Sequence, residues 1–230
     1  MTGSRSTQAP VVSAEEVSVD VDGRSILRDV TLTLCAPRCA VIGANGSGKS
    51  TFARLLNGLR TPSGGRLRVL GRDPQGGASG PRVGFVFTNP EAQILMPTPL
   101  EDVELSLRHL PRGERRERAR EVLAAHGLAG LEDVPASTLS GGQRQLLAIA
   151  SVLATAPDLV VADEPTTLLD LRNARRVGDL LLGLDVPLIL LTHDLELAAR
   201  CDEAVLFEDG TVRAVGGAAT VIDEYRRSCA

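Results

Sequence analysis

A glycine-rich stretch, GANGSGKST, has the residue types and spacing of a loop that binds phosphate. It fits the pattern G-x-x-x-x-G-K-[ST] from Gly43 to Ser50, after the short apolar run that begins at Cys39. In such a loop, main-chain N–H groups surround the phosphates, a lysine reaches the β and γ oxygens, and a hydroxyl binds Mg²⁺. We therefore predict that the chain binds ATP or GTP, rather than forming only a glycine-rich turn. The residues expected at the nucleotide are Gly43, Asn45, Gly46, Ser47, Gly48, Lys49, Ser50 and Thr51.

The basic residues point to the same loop. Of the 25 lysines and arginines, only Lys49 is a lysine. A planar guanidinium cannot replace a compact ammonium group where the site requires a point charge. The retention of one lysine at this position supports the phosphate-binding interpretation.

Two acidic residues end a second apolar run, Leu159-Val-Val-Ala-Asp-Glu164, which is typical of a buried parallel strand. Because side chains alternate along a strand, Asp163 and Glu164 can take different roles. Asp163 is suited to hold Mg²⁺ through water, and Glu164 to accept a proton from water that attacks the γ-phosphate. The alternative is a solvated acidic turn before Pro165.

A further apolar run, Pro187 to Thr192, leads directly to His193. A single histidine is more often structural than functional. A position after the end of a strand near the nucleotide nevertheless favours a hydrogen bond from His193 to the γ-phosphate.

The stretch LSGGQRQ, beginning at Leu139, indicates a second anion site. Ser140 and Gln143 fit a capping box at the start of a helix. Capping does not explain Gly141 and Gly142, since glycine in a helix costs roughly 1 kcal/mol relative to alanine. Uncovered N–H groups at a helix N-terminus attract anions.

Composition limits the class of protein. The chain has 230 residues, 43% of them hydrophobic, and a formal net charge of −4 without a basic block. We therefore expect a globular protein with no nucleic-acid surface. No apolar run reaches the roughly 18 to 20 residues of a membrane span, and the N-terminus lacks a hydrophobic signal core, so we expect a cytoplasmic protein. The four cysteines lack a paired metal-binding spacing and are interpreted as structural or incidental thiols.

The order of these motifs resembles that of an ATP-binding cassette (ABC) ATPase, with the match running from about Val11 to Tyr225. The motifs are GANGSGKST, LSGGQ, LVVADEP, the stretch Leu168-Leu169-Asp170, and THD. The resemblance implies an ATPase that uses ATP and Mg²⁺, with Lys49, Glu164 and His193 as catalytic residues. It also implies that Ser140, Gly141, Gly142 and Gln143 contact the nucleotide of a second ATPase subunit in trans, across a dimer that ATP closes and hydrolysis opens.

The same resemblance implies an α/β fold: a P-loop NTPase (RecA-like) core with a small antiparallel β subdomain and an inserted α-helical subdomain. We expect a flexible N-terminus over residues 1–10, the core at 11–88 and 158–218, the helical subdomain at 89–157, and a C-terminal helix or tail at 219–230. Within the insertion, Thr98-Pro-Leu-Glu101 predicts a capping box with proline at the first helical position. The charged stretch that begins at Arg112 predicts a solvated helix face.

The stretch GFVFTNPEAQILMPTPLEDVELSL resembles the ATPase subunits of energy-coupling-factor (ECF) importers, through Asn89, Pro90 and Gln93. This implies a peripheral protein at the cytoplasmic face of the membrane. Its partners would be a second ATPase, expected to be identical, an integral membrane coupling protein and a substrate-binding membrane protein. A biotin importer is the first interpretation, and a cobalt or nickel importer the alternative.

Two positions depart from the family pattern. Thr88 stands where the family has a glutamine that contacts Mg²⁺ and the attacking water, so the expected metal ligands are Ser50, Asp163 and Thr88. Val21 stands where an aromatic ring usually stacks on adenine, so apolar contact is expected there. Other readings are an ABC ATPase acting on nucleic acid or the ribosome, a small-molecule kinase, which would leave LSGGQ unexplained, and a non-hydrolysing regulatory subunit.

Overall fold

The structure is a computed structural model that describes residues 9–229, in two compact units. The first unit combines the chain up to Pro81 with the chain from Ile189 onward, and the second extends from Arg82 to Leu188. Most of the predicted flexible N-terminus, residues 1–8, lies outside the described residues.

Strands and helices alternate along much of the chain. The strands are β1 (Val12–Val21), β2 (Arg24–Leu34), β3 (Arg38–Ile42), β4 (Gly64–Val69), β5 (Val83–Val86), β6 (Leu159–Asp163), β7 (Leu188–Leu191), β8 (Glu203–Glu208) and β9 (Thr211–Gly217). The helices are α1 (Lys49–Leu56), α2 (Pro99–Ser106), α3 (Arg112–Ala125), α4 (Gly141–Ala154), α5 (Leu171–Leu182), α6 (Leu195–Ala198) and α7 (Ala218–Ser228).

The first unit contains two groups of strands. An antiparallel sheet has the order β2-β1-β4, which confirms the predicted antiparallel β element. In the second group β3 lies between β7 and β8, and β9 flanks β8. Strand β3 runs parallel to β8, with Val41 opposite Val205. Because both faces of β3 are covered, its apolar residues are buried without alternation.

The second unit places β5 parallel to β6, with Phe85 opposite Val161, and packs α4 against β5. Helix α2 begins at the predicted position: the Thr98 hydroxyl accepts a hydrogen bond from the Glu101 main-chain N–H at 3.3 Å. The predicted capping box is incomplete, because the Glu101 carboxylate accepts from the Thr98 hydroxyl at 2.9 Å. Helix α3 packs against α2 and buries Ala119, Val122 and Leu123, while its charged first half is mostly exposed. The solvated face predicted for this helix is confirmed.

The cysteines have no covalent partner and differ in exposure. Burial raises the pKa of the Cys39 thiol far above its usual value, and the neighbouring Glu203 carboxylate raises it further. Burial also raises the pKa of Cys201 to about 12. Since the thiolate is the reactive form, these two thiols are inert at neutral pH.

Candidate functional site

The predicted phosphate loop connects β3 to α1 in the first unit. Gly43 has φ 136°, and a Cβ atom there would lie 2.1 Å from the Phe207 carbonyl oxygen. The loop can therefore pass this close to β8 only with glycine at its first position. Gly48 precedes α1 with φ 102°, and no side chain caps the start of that helix. The first turn of α1 thus presents the arrangement that binds anions.

Lys49 lies inside this loop with only 6% of its surface exposed. Its Nζ donates hydrogen bonds to the carbonyl oxygens of Gly43 at 2.7 Å and Ala44 at 2.9 Å. The Oγ of Ser47 is buried there and has no hydrogen-bond partner among residues 9–229. An ammonium donor and an unsatisfied hydroxyl fit a loop that receives phosphate oxygens.

The remaining predicted loop residues stand nearer the surface. Asn45, Gly46 and Ser50 are exposed, and Thr51 is half-buried. The exposed hydroxyl of Ser50 is chemically suited to bind Mg²⁺.

His193 follows β7, also in the first unit. The Thr192 N–H donates to the Val41 carbonyl oxygen at 3.2 Å, which places the end of β7 level with the end of β3. His193 directly follows Thr192 and therefore lies close to where the phosphate loop begins. Its side chain is exposed. Val21 ends β1, opposite Arg24, and is half-buried.

Asp163 and Glu164 end β6 in the second unit. Asp163 is the last residue of this fully buried strand and is 8% exposed. Glu164 is half-buried and has a left-handed backbone, φ 52°, a conformation that costs about 1–3 kcal/mol in a residue other than glycine. The Thr167 hydroxyl donates to Glu164 Oε2 at 3.0 Å. The chain therefore turns sharply after the strand and gives the two carboxylates different directions.

Thr88 is fixed to the end of the same strand. Its hydroxyl donates to the main-chain carbonyl oxygen of Asp163 at 2.8 Å. This bond uses the hydroxyl proton, while the lone pairs of Oγ1 can still accept. Sequence reasoning did not find this contact, because it depends on the pairing of β5 with β6.

Gln93 holds the loop that contains Thr88. Its Oε1 accepts from the Phe87 N–H at 3.1 Å, and its Nε2 donates to the Phe85 carbonyl oxygen at 2.9 Å. The Gln93 side-chain amide therefore bridges the main chain of Phe85 and Phe87 and holds the segment after β5 in place.

The predicted capping box at α4 is present. The Gln143 N–H donates to Ser140 Oγ at 3.3 Å, and the Ser140 N–H donates to Gln143 Oε1 at 2.8 Å. The two glycines differ. A Cβ on Gly142 would lie 2.5 Å from Cγ of Asn173, whereas a Cβ on Gly141 would meet nothing within 4 Å. Packing therefore explains Gly142 and leaves Gly141 exposed with no structural demand for glycine.

Asp170 holds in place the side chain of Asn173, which a Cβ on Gly142 would meet. One carboxylate oxygen of Asp170 accepts from the Asn173 main-chain N–H, and the other from its side-chain amide, each at 2.8 Å. The first of these bonds holds the pKa of Asp170 below its usual value. Asn173 was missed by sequence reasoning, although the spacing Asp-x-x-Asn at a helix start could have indicated it.

No helix within the described residues is long and apolar enough to cross a bilayer.

A family model described as ABC transporter matches residues 27–167 of the chain. A biotin transport ATP-binding protein of Rhizobium etli is 41% identical over 222 residues, covering 95% of this chain and 99% of that protein. A nickel import ATP-binding protein of Rhodobacter capsulatus is 38% identical, covering 93% of this chain and 91% of that protein. An energy-coupling factor transporter ATP-binding protein of Geobacillus kaustophilus is 36% identical, covering 90% and 78%.

The solved structure of cbiO1 from Clostridium perfringens, described as part of an ABC transporter complex, has the same fold. It superposes with a TM-score of 0.83 at 29% identity, covering 95% of this chain and 92% of that one. The expected α/β P-loop NTPase fold is confirmed. The chain therefore belongs to the ATP-binding cassette transporter family and is an ATPase that uses ATP and Mg²⁺.

Proposed function

We propose that the chain is the ATP-hydrolysing subunit of an ECF-type importer that takes up biotin. Similarity to the biotin transport ATP-binding protein of Rhizobium etli supports this cargo. The observation that carries the ATP-dependent pairing of two subunits is the exposed Gly141 at the capped start of α4, in a chain that already has a phosphate loop at α1. One nucleotide does not need both helix starts in one subunit, so the second is available to the ATP of a partner.

Roles for the catalytic side chains follow from their chemistry and from family membership. Lys49 neutralises charge on the β and γ phosphates. Glu164 accepts the proton of the attacking water, and the half-buried carboxylate held by Thr167 is suited to this task. His193 donates a hydrogen bond to the γ-phosphate. Val21 supplies an apolar contact to the base, so we expect weaker discrimination between ATP and GTP than aromatic stacking would give.

Ser50, Asp163 and Thr88 offer hydroxyl and carboxylate oxygens, the ligand type that Mg²⁺ prefers. These donors fit the ion, which when bound neutralises charge on the transferred phosphoryl group. Thr88 keeps Oγ1 able to accept while its proton is donated to Asp163. Ser140, Gly141, Gly142 and Gln143 contact the nucleotide of the second subunit, and a homodimer would form two equivalent sites.

The second unit also carries a surface for the membrane coupling protein. This loop groove has a volume of about 600 Å³, with Ile94, Met96, Pro97 and Ala136 on its walls and Glu91 and Arg144 at its rim. Arg144 and Glu91 are 3.5 Å apart. The groove directly follows the Asn89-Pro90 stretch that resembles ECF ATPases. An apolar groove with a charged rim suits a helix that carries both apolar and charged side chains. Docking there would hold the subunit at the cytoplasmic face of the membrane.

Affinity purification tests this proposal directly. Tagged Glu164→Gln protein is purified with Mg-ATP from detergent-solubilised membranes of the host. Recovery of a coupling membrane protein and a small substrate-binding membrane protein, which take up labelled biotin in liposomes once they are combined with the wild-type chain and Mg-ATP, supports it. Recovery of only soluble or nucleic-acid partners overturns it. Because a nickel import protein is also similar, the same liposomes are assayed with Ni²⁺ and Co²⁺, and uptake of a metal instead of biotin assigns the alternative cargo.

Gly141→Ala separates the trans role from folding. We expect unchanged or slightly higher thermal stability, since a Cβ meets no atom there and alanine favours the helix by up to about 1 kcal/mol. ATP hydrolysis and ATP-dependent dimerisation should nevertheless fall severalfold, because the added methyl group covers the main-chain N–H groups at the helix start. Gly113→Ala, the same change in the exposed first turn of α3, where an added Cβ also meets no described atom within 4 Å, is the control. Normal hydrolysis by Gly141→Ala would refute the trans contact.

Thr88→Gln restores the usual family residue. We expect turnover in the assembled complex to rise severalfold, because the longer amide reaches the metal and attacking water that Thr88 serves from a shorter side chain. Thr88→Val, which removes the hydroxyl bonded to Asp163, should lower turnover. An unchanged rate in Thr88→Gln would show that the replacement does not limit hydrolysis.

A further inference from the structure

Asp102 is a buried carboxyl group that the nucleotide chemistry does not use. It lies in α2 and is 4% exposed. Its Oδ1 accepts hydrogen bonds from the main-chain N–H groups of Leu95 at 2.8 Å and Met96 at 3.2 Å. Its Oδ2 accepts from the Ser151 hydroxyl at 2.6 Å, a distance typical of charge-assisted hydrogen bonds. One side chain thus binds both a loop and another helix.

Leu95 and Met96, the loop residues that donate to Asp102, lie in the segment that borders the loop groove. Ile94 and Met96 line the groove, and Leu95, between them, is 72% exposed. Leu95 lines a separate cavity of about 240 Å³ that Asp102 and Ser151 also line, so the main chain from Ile94 to Met96 borders both the groove and this cavity. The hydrogen bonds to Asp102 fix the main chain at this point.

The helix side of the contact belongs to α4. Ser151 is 7% exposed and lies ten residues after Gly141, which corresponds to about 15 Å along the helix axis. Helix α4 is continuous from Gly141 to Ala154, and residues Gln145 to Val152 within it are buried. A displacement at Ser151 therefore reaches the helix start that carries Ser140 and Gly141.

We propose that Asp102 is a positioning residue that couples the loop groove to the start of α4 through Ser151. Occupation of the groove changes the position of Leu95 and Met96, Asp102 follows them, and α4 shifts with Ser151. This inference rests on the proposed function, because it assigns the groove to the coupling membrane protein and Gly141 to a partner's ATP.

Amide-resolved hydrogen exchange on the full chain tests the coupling. Ser151 forms no hydrogen bond with Leu95 or Met96, yet Ser151→Ala should make their amides exchange faster by about fivefold or more, because Asp102 loses one of its anchors. Ser106→Ala is the matched control. Ser106 lines the cavity of about 240 Å³ that Asp102 and Ser151 also line, but it is not one of the residues that donate a hydrogen bond to Asp102. Ser151→Thr keeps the hydroxyl and should restore slow exchange.

Turnover measured below the unfolding temperature supplies the second readout. Ser151→Ala should lower kcat severalfold relative to Ser106→Ala, while the Kd of the monomer for Mg-ATP stays unchanged, since the phosphate loop that begins at Gly43 contains neither Ser151 nor any other residue of α4. Equal exchange at Leu95 and Met96 in the two alanine variants, or equal kcat, would overturn the coupling. Neither readout requires a membrane partner, so failure to recover one affects the proposed importer and leaves this result intact.

Discussion

Glu164→Gln should reduce ATP hydrolysis by about 100-fold or more, the usual contribution of a general base. The amide has nearly the same shape, and its carbonyl oxygen can still accept the hydrogen bond from Thr167. Binding of ATP is therefore retained while proton transfer is lost. Since hydrolysis opens the dimer, the variant should accumulate as an ATP-bound dimer, which size-exclusion chromatography with Mg-ATP detects.

The matched control is Glu121→Gln, which makes the same chemical change on the exposed surface of α3. Its hydrolysis should equal that of the wild type, because exposed ion pairs such as Arg118–Glu121 contribute little. If Glu164→Gln hydrolyses ATP normally, the assignment of the base is wrong. A monomer with Mg-ATP would contradict the homodimer and direct attention to a different partner ATPase.

Lys49→Ala should weaken ATP binding by roughly 30-fold, or about 2 kcal/mol, the range expected for hydrogen bonds to a charged group. Hydrolysis should fall to background. The ammonium group donates to the carbonyls of Gly43 and Ala44, so its removal also loosens the loop that must hold the phosphates. Isothermal titration calorimetry with Mg-ATP measures the change.

Two further variants separate charge from geometry at this position. Lys49→Arg keeps the charge but replaces a point donor with a planar fork, and we expect it to bind ATP poorly as well. Arg54→Ala removes an exposed cation from the same helix and should leave binding unchanged. Full binding by Lys49→Arg would show that this loop requires only a positive charge.

Much of the architecture could be predicted because the signals are local. The apolar runs that became β3, β6 and β7 have no alternation, as buried parallel strands require. The capping box at Ser140, set by residues three positions apart, forms as expected. At Thr98 only the bond from the Glu101 N–H to the Thr98 hydroxyl forms, because the Glu101 carboxylate accepts a hydrogen bond from that hydroxyl.

Contacts set by tertiary pairing could not be predicted. The bond between Thr88 and Asp163 joins residues 75 positions apart, and the bond between Asp102 and Ser151 joins residues 49 apart. In the sequence Asp102 reads as one more acidic residue in the first turn of a helix, where such residues are common. Only packing of α2 against α4 reveals it as a buried anchor.

The close approach of Gly142 to Asn173 makes these two positions depend on each other in evolution. A lineage that acquires a side chain at position 142 must also shorten position 173, because the Asn173 amide is held in place by Asp170. Either change alone would pass through a strained or loosened intermediate. Related chains should therefore vary at the two sites in pairs. At Gly141, where an added Cβ would meet no described atom within 4 Å, variation should instead follow the subunit whose ATP this residue serves.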